Sequence, residues 1–499
     1  MTQRRVLYVF ASVATLVALA LPAAAGAHPE ACASSNVLTE APTAEWFAAW
    51  TEEGEGCMNA AAVRGFDDSD AQLTAAGASD GTPNLTLTSN TPKAPPFETT
   101  ADLNSDLAFE NGFAYGGNYD GVQIWDVRSE TPRLASFIHC PGSQNDVTVN
   151  DGILVTSTDS RRTDDTCNSA ATTTPSAPTT WEGLKIFDVR DPSNPKYVTS
   201  VRTDCGSHTH TVIPQKNRLL VYVQSYDVAA GRYECDGAHD KISIVTIPKK
   251  NPRGAEVIAE PVLFPDGGND GTSGTLRATT GCHDITVYPE KGLAAGACTG
   301  EGVILDIRNP VEPRVLANIE DPNFAFWHSA TLSNDGKRVL FTDELGGGTQ
   351  PTCNSTVGPN RGADAVYAIS DPTAPVFKSY FKIPREQTNN ENCVAHNGTL
   401  IPNSQDRDVL VQSWYQGGTS VIDWTDPNNV EEIAWFDRGP LSETELILGG
   451  LWSTYYYNGR IYGSEIQRGF DVFELDDPRV EGAENFRYRT LNAQTQESF

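Results

Sequence analysis

Gly121-Val-Gln-Ile-Trp-Asp-Val and Gly183-Leu-Lys-Ile-Phe-Asp-Val are two copies of one string: a glycine, an apolar run and an aspartate. Further copies are Lys241-Ile-Ser-Ile-Val, Gly302-Val-Ile-Leu-Asp-Ile, Ala365-Val-Tyr-Ala-Ile, Thr419-Ser-Val-Ile-Asp-Trp and Phe470-Asp-Val-Phe-Glu-Leu. They recur at intervals of roughly 50–60 residues, a spacing that belongs to blade-like repeats. A repeat this short cannot bury its own apolar face, so the copies must stack on one another.

Working outward from each string gives the same order. A strand that often opens on histidine comes first, then an apolar strand such as Ile153-Leu-Val-Thr-Ser or Leu219-Leu-Val-Tyr-Val. The Asp-Val strand follows, and a fourth such as Pro195-Lys-Tyr-Val-Thr-Ser-Val ends the unit. β-Branched and aromatic runs bounded by Gly, Pro, Asn and Asp are strand signals, and sustained helical periodicity is almost absent. The expected fold is all-β, a seven-bladed β-propeller of four-stranded antiparallel blades over residues 101–499. Residues 28–100 read as a disulfide-stapled N-terminal extension and linker. Either Leu85-Thr-Leu-Thr or Phe486-Arg-Tyr-Arg-Thr could close the ring.

Residues 1–27 have the form of an export signal: Arg4-Arg5, an apolar run from Val6 to Leu21, and the small residues Ala25-Gly26-Ala27. That run is short for a membrane span and nothing later approaches one. The expected location is therefore extracellular. A formal charge of −29, from 65 acidic and 36 basic residues, argues against nucleic acid or an anionic membrane as partner. The ten cysteines in an exported chain point to five disulfides. Their spacing suggests sequential pairs, Cys32–Cys57, Cys140–Cys167, Cys205–Cys235, Cys282–Cys298 and Cys353–Cys393. Zinc is the alternative role for cysteines, but the chain has no C-x-x-C pair.

Arg190-Asp-Pro-Ser-Asn-Pro, Ser370-Asp-Pro-Thr-Ala-Pro and Thr425-Asp-Pro-Asn-Asn follow the repeated strands. With them the chain resembles the LVIVD-repeat family of secreted bacterial propellers over roughly residues 102–478. That resemblance implies the fold and says little of function, because propellers host unrelated activities. A more distant likeness, in architecture and histidine pattern only, is to selenium-binding proteins and methanethiol oxidases, which are propellers with histidine-rich copper sites.

Four of the eight histidines fall on one repeat position. His208-Thr-His-Thr-Val, His283-Asp-Ile-Thr-Val, His328-Ser-Ala-Thr-Leu and His396-Asn-Gly-Thr-Leu align, with Ser105, Asn145 and Trp452 at the same position in the other units. The first strand of a blade lines the central channel, so His208, His283, His328 and His396 are expected to ring one mouth of it. Four imidazoles suit a transition metal such as Cu or Zn. His210, two residues beyond His208, points to the same face and is either a fifth ligand or a packed group behind the ring.

Metal-bound imidazoles need a partner for their second nitrogen. Asp284, Asn397 and Asp146 are candidates, and Asp343 and Glu344 could act as acid and base. Gln224, Gln412 and Glu465 end second strands in the same way, and Trp452 offers an apolar wall. His139 and His239 are off-register and read as surface or loop residues. His28 could lead the mature chain, an amine–imidazole pair best explained by chance. There is no Gly-x-Ser-x-Gly elbow, P-loop or His-Glu-x-x-His motif, which argues against a serine hydrolase or nucleotide enzyme. The expected function is a secreted, monomeric propeller with a metal-binding histidine ring. It could be a metal-dependent oxidoreductase of copper type or a hydrolase or lyase acting on a small molecule. The alternative is a non-catalytic propeller that binds a protein or glycan.

Overall fold

The computed structural model describes residues 79–172, 180–226, 238–272 and 277–499. The export signal, the Cys32–Cys57 pair, His28 and Cys235 lie outside them. The described chain is all-β, built from repeated four-stranded antiparallel sheets in a propeller-like arrangement. Each copy of the diagnostic string forms or enters a strand: Gly121–Asp126, Trp181–Asp188, Ser243–Pro248, Glu301–Asp306, Asp364–Ala368, Thr419–Asp423 and Gly469–Leu475. Every one pairs antiparallel on both edges. These strands are buried on both faces, which explains why they read as continuous apolar runs and not as an alternation.

The strands that precede them by two in each unit are Asn104–Glu110, Val147–Asn150, Thr209–Pro214, Asp284–Tyr288, Trp327–Leu332, Asn397–Leu400 and Leu451–Tyr457. Each contacts the next, and the last contacts the first, so these inner strands form a closed cycle. The core is the apolar filling between adjacent sheets. Val155 and Ile186 pack on Val221 and Val245, and Trp125 of the first unit stacks on Phe470 of the last at 5.6 Å.

Two antiparallel runs share one nine-stranded sheet, meeting where Asn397 and Gly398 pair parallel with Ser453 and Thr454. Both ends of the described chain enter the body. Leu85–Thr91 pairs with Gly469–Leu475 and Asp80–Gly81 with Glu431–Asp437, so the segment expected as a linker contributes two strands. Thr490–Asn492 pairs with the inner strand Asn104–Glu110. Of the two candidate closing segments, Leu85-Thr-Leu-Thr completes the last run at its outer edge, whereas of Phe486-Arg-Tyr-Arg-Thr only Thr490 enters a strand, in the channel.

Cys140–Cys167, Cys282–Cys298 and Cys353–Cys393 are disulfides, and Cys205 is also disulfide-bonded. Among the described residues no helix is long and apolar enough to cross a membrane.

Candidate metal centre

His208, His283, His328 and His396 come together. His208 and His283 each stand one residue before an inner strand, and both amides are fixed by a second-strand carbonyl. His208 donates to Gln224 O and His283 to Ala297 O, both at 2.9 Å. His396 is held likewise by Ser413 O at 3.2 Å, and His328 lies inside Trp327–Leu332. Consecutive ring centroids are 4.4, 3.9 and 4.3 Å apart from His208 through His283 and His328 to His396. Cys282–Cys298 anchors the segment beside His283, and Cys353–Cys393 the approach to His396.

The ring nitrogens divide into an outward and an inward set. Outward, His208 Nδ1 faces Asp159 Oδ2 at 2.7 Å, His283 Nδ1 faces Asp284 Oδ1 at 3.2 Å, and His396 Nδ1 donates to Trp452 O at 2.5 Å. Inward, His208 Nε2 and His283 Nε2 are 2.8 Å apart. Glu344 completes the group, with Oε2 3.7 Å from His328 Nε2 and Oε1 3.5 Å from His396 Nε2. One ligand atom each from His283, His328 and Glu344 lies within 4.8 Å of the others, close enough for one ion. His328 Nδ1 is buried with no hydrogen-bond partner among the described residues.

The groups around the histidines obey a second register that sequence reasoning missed. Asp159, Tyr226, Glu344 and Tyr415 each lie three residues beyond the second-strand partner of the residue two after the histidine position. Those partners are Thr156, Val223, Phe341 and Gln412. Asp159 holds His208, and Tyr226 stacks on His283 at 5.6 Å. Tyr415 donates to Glu344 Oε1 at 2.5 Å while its ring tilts against His396. The signal was present, but the position is chemically mixed, and a search for one repeated residue type passes over it.

Two expected members stand elsewhere. His210 is fully buried away from the ring, with Nε2 2.7 Å from Thr148 Oγ1 and Nδ1 2.8 Å from Ser157 Oγ and 3.1 Å from Asp146 Oδ2. Both nitrogens are taken by the neighbouring sheet, so no lone pair remains for the centre. Asp343 accepts from the amides of Ala325, Phe326 and Gly362 and caps those loops, while its neighbour Glu344 faces the histidines. Adjacent residues at a strand end point oppositely, and only one of the pair can reach the site.

Of the other candidates, Asp284 holds a ring histidine and Asp146 serves His210. Gln224, Gln412 and Glu465 bind strand and loop groups. Trp452 forms a wall, edge-on to His396 at 5.3 Å. His139 is exposed as expected, whereas His239 is buried.

Burial dominates the electrostatics. It pushes His283 and His328 well below the ordinary imidazole range, reinforced by the neighbouring imidazoles. It lowers His396 to about 4 and raises Asp284 to about 7. Neutral imidazoles are the form a metal requires. All four histidines and Glu344 are at most 4 % exposed, so nothing bulky reaches them.

No family model matches the chain, and no curated protein matches it. Among solved structures, a functionally unknown protein of Desulfotomaculum acetoxidans is similar at 12% identity and TM-score 0.44, covering 71% of this chain and 93% of that one. Hydrazine synthase of Kuenenia stuttgartiensis is similar at 12% identity and TM-score 0.45, covering 73% and 92%. These likenesses carry no functional argument.

Proposed function

We propose that this chain is a secreted seven-bladed propeller that binds one transition metal ion at the mouth of its channel. His208, His283, His328 and His396 are the imidazole ligands in this reading, with Glu344 as carboxylate. The observation that carries it is the division of ring nitrogens: three histidines turn Nδ1 outward to Asp159, Asp284 and the Trp452 carbonyl, and leave Nε2 facing inward. Acceptors on the far nitrogen fix metal-binding histidines in this way. Supporting the blade count, the seven inner strands form a closed cycle, and the nine-stranded sheet divides at its single parallel contact. The LVIVD-repeat resemblance and the disulfides fit the same reading.

Two nitrogens 2.8 Å apart both reach an ion at about 2.0–2.1 Å while subtending roughly a right angle. That favours a tetragonal copper site over tetrahedral zinc. The buried ligands favour redox chemistry on a small molecule over hydrolysis of a glycan. Elemental analysis of protein exported by a metal-replete host tests the proposal. One copper per chain is expected, lost in the His283→Ala/His328→Ala double variant. No stoichiometric metal in the parent would overturn it.

A further inference from the structure

We infer that the C-terminal tail is a positioning element of the histidine centre, acting through Gln494 on Asp284 and so on His283. The inference rests on the metal reading above.

Inner strands of a sheet ring present unpaired backbone groups to the channel, an edge that must be satisfied. Residues 490–499 do this at the strand ends opposite the histidines. After Thr490–Asn492 pairs with the first inner strand, the Asn492 amide accepts from Val149 N at 2.8 Å and donates to Val149 O at 3.0 Å. Thr495 Oγ1 donates to Val212 O at 2.6 Å. The tail backbone clasps Val287, whose amide donates to Gln494 O at 2.8 Å while Gln496 N donates to Val287 O at 2.9 Å. The Gln496 amide then repeats the two-way contact on Leu332, at 2.6 and 2.8 Å. Five successive inner strands are thus held by one short segment, with side-chain amides standing in for a missing strand.

Held from both sides at Val287, Gln494 extends its side chain up the channel. Its Nε2 lies 3.4 Å from Asp284 Oδ2, and the other oxygen of that carboxyl group is the acceptor of His283 Nδ1 at 3.2 Å. Thr209 stands beside Asp284 as well, but its hydroxyl donates to His283 O. Gln494 is therefore the group that fixes which way the carboxylate turns. A carboxylate free to rotate would leave His283 without a defined tautomer, and its Nε2 lone pair would no longer be held toward His208.

The test compares wild type, Gln494→Ala and Gln496→Ala. Gln496→Ala loosens the tail at Leu332 without touching Asp284, so it separates positioning from general support. In metal-free protein at alkaline pH, where Asp284 is ionised, the ring-nitrogen NMR signals of His283 should show the Nδ1–H tautomer in wild type and in Gln496→Ala, and lose it in Gln494→Ala. Titration with Cu²⁺ against a chelator should show about 10–100-fold weaker binding for Gln494→Ala alone. An unchanged His283 signal, or an unchanged affinity in a chain whose wild type binds copper, overturns the inference. A wild type that takes up no copper defeats the metal reading instead, and the NMR comparison then decides the positioning role by itself.

Discussion

His208 and His283 face each other through Nε2 atoms 2.8 Å apart, while their Nδ1 atoms face Asp159 and Asp284. These are three contacts in a row, and each needs one proton. Two neutral imidazoles bring only two, and Asp284, raised to about 7 by burial, supplies the third part of the time. A metal on both Nε2 atoms removes the central requirement, and the two imidazole protons then match the two carboxylates. Metal uptake at about pH 7 should release on the order of half a proton per ion, rising toward one as pH falls. Calorimetry in buffers of different ionisation enthalpy measures it, and uptake without proton release would count against this arrangement.

Asp159 accepts from His208 and belongs to the outer set, so Asp159→Asn should keep the fold and weaken metal binding about 10–100-fold. A competition titration reads the affinity and thermal unfolding of metal-free protein reads the fold. Equal losses in Asp159→Asn and in a variant of exposed Asp371 would show a general charge effect in place of a specific one.

Glu344 is aimed by Tyr415, and the pair has room only because residue 348 is glycine. An added Cβ there would overlap the Tyr415 hydroxyl and come within 2.8 Å of Glu344 Oε1, on backbone at φ +68°. Tyr415→Phe removes a hydrogen bond to a buried carboxylate, a loss of about 1–3 kcal/mol. Gly348→Ala should lose at least as much, from the clash and the strained backbone together. Urea unfolding of both variants checks the order.

Much of this was legible in the sequence, because period and register are properties of a string. The repeated Asp-Val strands and the four aligned histidines needed only that residues at one repeat position share one level of the fold. Three of the five expected disulfides are present, and Cys205 of a fourth is bonded too. What stayed hidden depends on direction. Whether Asp343 or Glu344 faces the ring is set by a loop carrying three successive glycines, Gly346 to Gly348, and by the amides Asp343 must cap. The tail was hidden for another reason: Asn492 and Gln496 pair through side-chain amides, which leave no strand pattern to read.

His210 separates proximity from ligation. It shares the inner strand of the third unit with the ring, yet its nitrogens bind Thr148, Ser157 and Asp146. His210→Gln should leave metal content unchanged and cost about 1–3 kcal/mol, as buried hydrogen bonds go unmade. His283→Ala should do the reverse in metal-free protein, abolishing metal uptake with a smaller effect on folding, since it relieves a crowded, desolvated ring. Metal analysis and urea unfolding on the same two preparations give the four numbers. Loss of metal from His210→Gln would return that residue to the centre.

The histidines also set how the metal-free protein meets acid. Burial lowers His396 to about 4, against an ordinary 6.5, so between those values the unfolded chain binds the proton and the folded chain does not. Stability contributed by neutral His396 is therefore intact above about 6.5 and is lost as pH falls toward 4. A lowering of that size corresponds to about 3 kcal/mol. Asp284 works in the opposite sense, because its raised pKa makes the folded state the better proton binder below about 7. Whole-protein curves mix the two, and the difference between wild type and His396→Gln isolates the first. That difference should shrink by about 3 kcal/mol between pH 7 and pH 4 in chelator-treated samples. A flat difference would mean that His396 takes up its proton without unfolding, and that the ring is wetter than its burial implies.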